Sequence, residues 1–227
     1  ILGGNSFEAF YYDDAGFDLP PLIHRQHVVT APVPATGALF DLPAANMQEE
    51  RDELRRTLTG RCEKTAEVLA DAAPAVAWCH LNAESELLAR VIGGAVELRG
   101  AEPVEAKEEK LAAFGAGQIR VLVTKPSIAG WGLNWQHCHR TAYMPSHSYE
   151  QYYQAVRRFW RFGQTEPVTV DVITTEGGSG ALRNLQRKAA QADRMFEQLV
   201  GHMRDATAVT RSDNYATKME VPAWLAY

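Results

Sequence analysis

From Pro74 onward, short apolar runs alternate with stretches of helix-forming residues, and this alternation constrains the fold more than any other feature of the 227-residue chain. Ile119–Thr124 is the clearest run: apart from Arg120 it reads as a buried strand, and Lys125-Pro126 stops it because proline removes a ladder donor. Ala75–His80, Ala95–Leu98, Thr141–Met144 and Val168–Thr174 read the same way. Between them the pattern predicts helices over Asn82–Val91, near Glu105–Phe114, from Ser148 into an arginine-rich segment, and over 181–200. The last carries Leu182, Leu185, Ala189, Ala192, Phe196 and Leu199 on one stripe. Strands this short, separated by helices, pair in parallel and need cover on both faces. The expected class is therefore α/β, an open and mostly parallel sheet with helices on both faces.

The remainder of the chain divides by composition. Residues 1–45 are punctuated by Pro20, Pro21, Pro32, Pro34 and Pro43, which predicts an irregular connecting arm with one short strand, Gln26–Thr30. Residues 46–73 turn to helix formers. Leu54, Leu58, Val68 and Leu69 are apolar there, Asp52 can pair with Arg55 or Arg56, and Gly60 is placed to divide two helices. Residues 74–205 form the main lobe. Residues 206–227 are a polar tail until Val221-Pro-Ala-Trp-Leu225.

Net charge is -5, so nucleic-acid binding, if any, must rest on a local patch. No apolar run approaches the roughly 20 residues of a membrane span, and Ile-Leu-Gly-Gly-Asn at the start is no signal peptide. Without an initiator Met, the sequence is expected to begin inside a longer polypeptide. Cys62, Cys79 and Cys138 are odd in number and lack CxxC spacing, which points to a reducing, cytoplasmic setting. Cys79-His80 and His137-Cys138-His139 are adjacent residues that a strand would point to opposite faces, so no metal site is expected from them.

Chemistry concentrates in Gln154-Ala-Val-Arg-Arg-Phe-Trp-Arg-Phe-Gly-Gln164. Ser148 followed by Gln151 fits a capping box ahead of it. On a helix continuing from there, Gln154, Arg158 and Arg161 share a stripe at i, i+4 and i+7, with Arg157 beside it. Tyr149, Tyr152, Val156, Phe159 and Trp160 fall on the opposite, buried face. Guanidiniums crowded together repel one another, so an ordinary solvated surface gains nothing from them. A polyphosphate does: arginine binds it bidentately and offsets the charge that grows in phosphoryl transfer.

A second stretch, Lys125-Pro-Ser-Ile-Ala-Gly-Trp-Gly-Leu-Asn-Trp135, follows a strand end, where ligands of open α/β sheets collect. Ser127 is placed to cap a short helix, Gly130 and Gly132 allow close backbone approach, and Lys125 adds positive charge; together they favour a phosphate. The alternative is a tight turn that needs its glycines for geometry alone. His80 and Asn82 follow another strand at the same expected edge and suit contact with a phosphate backbone, although capping alone would also account for Asn82. Trp131 and Trp135 suit stacking on bases or, more simply, packing. Gly177-Gly-Ser-Gly180 lacks both the GxxxxGK[ST] lysine and the GxGxxG spacing and reads as a flexible connection.

Three of these segments together resemble motifs of superfamily 2 helicases and translocases, in the Swi/Snf-type branch and its compact phage and prophage versions. Ala77-Trp-Cys-His-Leu-Asn-Ala-Glu84 looks like motif IV, Lys125–Trp135 like motif V, and Gln154–Gln164 like motif VI, which ends Arg-x-x-Arg-x-Gly-Gln. The likeness covers roughly residues 74–200 and implies the C-terminal RecA-like lobe of a two-lobed motor. It implies that Arg158 and Arg161 reach the phosphates of ATP held with magnesium mainly by an N-terminal RecA-like lobe of the same polypeptide, Arg161 acting as arginine finger. Gln154 would place the nucleotide or attacking water, and Gly130, Gly132 and Arg157 would lie beside the nucleotide. Lys125, Ser127, His80 and Asn82 would meet the backbone of DNA, expected to be duplex. A phosphate-binding lysine loop and a magnesium-binding carboxylate pair are absent from these residues, so the resemblance implies half of an ATPase. Two rival classes stand beside it: a non-catalytic nucleic-acid or partner-binding module of the same shape, and a different α/β enzyme holding an acidic substrate in a deep pocket of its own.

Overall fold

Five short apolar runs and one strand from the arm assemble into a single sheet in the computed structural model, which describes residues 19–30, 47–129 and 133–207. In chain order the elements are β1 (Leu22–Val29), α1 (Met47–Arg56), α2 (Leu58–Val68), β2 (Ala75–Trp78), α3 (Asn82–Val91), β3 (Ala95–Glu97) and α4 (Val104–Gly115). There follow β4 (Val121–Thr124), the single turn α5 (Pro126–Ala129), β5 (Arg140–Tyr143), α6 (Tyr149–Val156), β6 (Val168–Thr175) and α7 (Ser179–Thr207). The strand order is β1-β6-β5-β2-β4-β3, and every pairing is parallel.

Period-two alternation builds two cores from this one sheet. Val76, Trp78, Leu122, Tyr143, Val168, Val170 and Val172 point to one face, under α4, α6 and α7. Ala75, Ala77, Cys79, Val121, Val123, Ala142 and Met144 point to the other, under α2 and α3. The class read from the sequence is the class observed. The chain divides into two compact units, Ile1–Ala189 and Ala190–Tyr227. The first holds the sheet; in the second, the described residues are the C-terminal part of α7. No helix among the described residues is long and apolar enough to cross a membrane.

Several boundaries differ from expectation for physical reasons. The arm strand is Leu22–Val29 rather than Gln26–Thr30, and it is a full member of the sheet, paired along its length with β6. The helical stretch breaks at Thr57, not Gly60: Thr57 donates its hydroxyl back to Glu53 O at 2.7 Å and so caps nothing ahead of it. Gly60 lies inside α2, where a Cβ would sit 3.0 Å from Val29 Cγ1; the glycine lets β1 approach the helix. Asp52 pairs with Arg55 at 3.4 Å, whereas Arg56 takes Glu53. The Gly177–Gly180 segment is packed at its start and open at its end: Gly177 is buried, a Cβ there would meet the Glu53 carboxyl carbon at 2.6 Å, and Glu53 accepts from Thr175 Oγ1 at 2.6 Å, whereas a Cβ at Gly180 would meet nothing within 4 Å.

Polar ties across the sheet fix the edge strand. Asp171 on β6, 1% exposed, accepts from His27 Nε2 at 2.7 Å and from Arg140 Nη2 at 3.1 Å. Arg140 also donates to Val68 O at 3.0 Å, so one carboxylate on β6 joins β1 to β5 and Arg140 extends the tie to the end of α2. His24 hydrogen-bonds to the Tyr152 hydroxyl, and Trp160 Nε1 donates to Pro20 O at 2.7 Å.

Candidate functional site

The arginine-rich segment does not run as one helix. α6 opens on Ser148, whose hydroxyl accepts from Gln151 N at 3.3 Å, and it closes at Val156. Beyond it, Arg158 N and Phe159 N bond three residues back, to Ala155 O and Val156 O, and Gly163 adopts φ +88°. The expected stripe of Gln154, Arg158 and Arg161 on a helix face is therefore replaced by a turn. A continued helix would place Phe159 and Gln164 well apart around its axis, yet the fold buries both. Phe159 packs on Trp78 at 6.3 Å and on Trp135 at 5.9 Å between ring centroids. Trp135 is thus core packing. Trp160, expected on the buried face, is half-buried.

Within the turn each arginine has a different setting. Arg157 lies over the rings of Tyr153 and Trp160, at 5.3 and 4.8 Å from their centroids, and its Nε donates to the Tyr153 hydroxyl at 3.2 Å. Arg158 donates Nη1 to Leu133 O at 3.1 Å, while its Nε is buried with no partner. Burial, and then the neighbouring Arg161, pull the Arg158 guanidinium below its ordinary pKa. Among the described residues neither Arg158 nor Arg161 is paired with a carboxylate. Gln154 stands apart from this pair in its bonding, donating to Glu150 Oε1 at 3.2 Å.

The other candidates gather at the carboxyl ends of β2 and β4, which are sheet neighbours. Lys125 Nζ donates to Asn82 Oδ1 at 2.5 Å. Asn82 is not the cap of α3. Leu81 holds that position, and Glu84 reaches back to accept from His80 N at 2.9 Å and Leu81 N at 3.0 Å. His80 lies edge-on to Tyr143 at 5.6 Å with Nε2 unpartnered, and burial holds its imidazole below the usual pKa against the pull of Glu84. Ser127 does not cap α5 either: Ile128 N and Ala129 N bond to Lys125 O, so Ser127 sits exposed within the turn. It lines a groove of about 400 Å³ with Leu98, Val104, Lys107, Leu111 and Ile128. Gly130, Trp131 and Gly132 lie outside the described residues.

Topology separates the two clusters. Lys125, Asn82 and His80 stand at the carboxyl edge of the sheet, whereas the arginine turn meets the segment leading into β5 and lies beside the amino ends of β5 and β6. Trp135 N donates to Arg158 O at 3.0 Å, and Gln164 Nε2 donates to Cys138 O at 3.1 Å. Residues 125–129 belong to the carboxyl edge, and residues 133–139 meet the arginine turn.

Four buried or bridging residues had not been singled out in the sequence. Gln136 and Gln164 hold the arginine turn to that connection; Arg61 and Glu84 form an ion pair at 2.5 Å beneath the carboxyl edge. Glu84 carried a readable signal, since a glutamate three residues after a helix boundary is the return half of a capping box. Arg61 carried none, because a lone arginine in a helix reads as surface.

A six-stranded, all-parallel sheet with helices on both faces is the RecA-like α/β fold, which is also the fold of helicase motor lobes. The chain is similar to the crystal structure of the C-terminal part of the Fun30 ATPase domain, with 14% identity and a TM-score of 0.50, over 63% of this chain and 48% of that one. It is also similar to the crystal structure of the RNA helicase Prp28 from Chaetomium thermophilum bound to ADP, with 16% identity and a TM-score of 0.51, over 76% of this chain and 37% of that one. The chain thus spans less than half the length of either. No family model and no curated protein matches the sequence.

Proposed function

We propose that this chain is the second motor lobe of an ATP-dependent DNA helicase or translocase of the Swi/Snf-type branch, of the compact kind that phages carry. The observation that carries the reading is the arginine pair. Arg158 and Arg161 sit together without a carboxylate, and Arg158 keeps a buried donor unused. A partly desolvated guanidinium beside a second like charge favours an anion placed against the pair, and a triphosphate supplies one with fork-matching oxygens. Arg161, with no hydrogen bond to its guanidinium among the described residues, is the arginine finger; Arg158 braces the same phosphates. ATP and its magnesium ion are held mainly by an N-terminal lobe, and the charge supplied here offsets what develops on the transferred phosphoryl group. Gln154 assists in placing nucleotide or water, and Gly130, Gly132 and Arg157 border the nucleotide. Lys125, Asn82, Ser127 and His80 contact the phosphate backbone of duplex DNA.

Two expectations test this reading. The chain alone hydrolyses ATP at background rate, because no GxxxxGK[ST] sequence occurs in its 227 residues and catalysis needs charge from both lobes. Robust DNA-stimulated turnover by the isolated chain, followed by phosphate release, overturns the half-motor assignment. At the other edge, Lys125→Glu weakens duplex binding equally for all sequences and reduces the salt dependence by about one counterion. A fluorescence-anisotropy titration in which the substitution changes neither affinity nor salt slope removes Lys125 from the DNA face.

A further inference from the structure

The arginine turn and the connection 125–139 grip each other reciprocally. From the turn, Gln164, 7% exposed, donates Nε2 to Cys138 O at 3.1 Å and to Phe159 O at 3.3 Å, and its Oε1 accepts from Thr165 N and Glu166 N, both at 3.0 Å. From the connection, Gln136 donates Nε2 to Phe162 O. Its amide fills the space that the missing side chain of Gly163 leaves, where a Cβ would lie 2.7 Å from Nε2. Arg158 Nη1 to Leu133 O and Trp135 N to Arg158 O close the same seam.

Every hydrogen-bonding group of the Gln164 amide is used internally, so this side chain has none left for a nucleotide. Its place in an arginine motif therefore reflects the turn it holds. Gln164 N bonds to Arg161 O at 3.0 Å, which ties the clasp directly to Arg161. A contact made by Arg158 or Arg161 with an anion thus acts on residues 133–138 as well.

We propose that Gln136 and Gln164 are a two-sided clasp that makes residues 133–138 and 158–164 move as one body, so that engagement of the arginines with nucleotide phosphates is felt in 133–138 as well as in the turn itself. Gln136 and Gln164 are positioning residues. The inference rests on the arginine pair being the phosphate site, and the test separates the two claims.

The experiment is amide hydrogen exchange of the full-length polypeptide with and without ADP-beryllium fluoride, for the native sequence and for Gln136→Ala. In the native protein, the nucleotide analogue slows exchange in both 133–138 and 158–164. In Gln136→Ala, 158–164 still responds, while the response of 133–138 falls by about tenfold, the scale of an ordinary coupling between sites. If 158–164 of the native protein does not respond, the phosphate assignment fails. If both segments respond equally in the native protein and the variant, the clasp fails. Gln164→Glu provides the second arm: it replaces a donor facing two carbonyls with an acceptor and should uncouple the segments at least as strongly. An equal response there also refutes the clasp.

Discussion

Replacing Arg161 by lysine in the full-length polypeptide lowers ATP turnover by about a thousandfold and leaves the melting temperature nearly unchanged. The lysine keeps the charge but loses the planar fork that meets two phosphate oxygens at once. Folding is spared because the Arg161 guanidinium holds nothing in place: its hydrogen bonds among the described residues are those of its backbone. DNA affinity without nucleotide is also spared, since Lys125 and Asn82 stand at the other edge of the sheet. Arg157→Lys is milder, because the interaction lost is stacking on Tyr153 and Trp160. Steady-state turnover at saturating DNA decides the matter. Native turnover by a properly folded Arg161→Lys protein would remove that residue from the mechanism.

The largest effect on stability falls on the buried pair Arg61–Glu84. Both side chains are almost wholly removed from water, and both are fully used. Arg61 donates to Glu84 at 2.5 Å, to Thr57 Oγ1 at 3.1 Å and to Leu54 O at 2.7 Å. Truncating Glu84 to alanine leaves a guanidinium in the core without its counter-charge and costs about 3–5 kcal/mol. Urea unfolding of the chain measures it. Removing both charges together, with Arg61→Met and Glu84→Leu, costs less than the single truncation, because no unpaired ion remains. Asp52→Ala, at an exposed pair on α1, shifts the midpoint little. Burial by itself would raise the Glu84 carboxyl, but Arg61 and the N–H groups of His80 and Leu81 outweigh it and hold the group below its ordinary value. The contribution of the pair is therefore present above the unfolded carboxyl pKa and is lost as pH falls through the lower folded one. A stability profile that stays flat through that acid range would show that Glu84 is not held as an anion.

The alternation of apolar runs and helices was enough to read the sheet, because burial on both faces demands unbroken apolar strands such as Val121–Thr124. What it concealed has a common cause. The positions of Gln136, Gln164 and Arg61 in the architecture depend on partners distant in sequence, and local spacing carries no trace of them. The arginine helix failed for the same reason: tertiary burial of Phe159 and Gln164 overrode the propensity that would have carried α6 past Val156. Lys125 and Asn82 were placed on one edge by strand ends alone, and they do meet there. Arg158 was expected at nucleotide phosphates and Lys125 at a DNA backbone, and only the strand directions put the arginine turn beside amino ends of the sheet and Lys125 at the carboxyl edge.

The outermost strand has a consequence for the order of assembly. β1 precedes every other described element of the chain, yet among the described residues its sheet neighbour is β6, the final strand, with Leu22 opposite Val168 and Val29 opposite Thr175. On a ribosome β1 therefore emerges before the other strands of this sheet and stays unmatched until β6 has been made, and closing so long a loop makes its docking a late event. A strand that waits needs protection from foreign strands. His24, Arg25, Gln26 and His27 put polar and chargeable side chains on both of its sides, which discourages pairing with another chain during that interval. Two of the same side chains, His24 and His27, then become the bolts that fasten it, to Tyr152 and to Asp171.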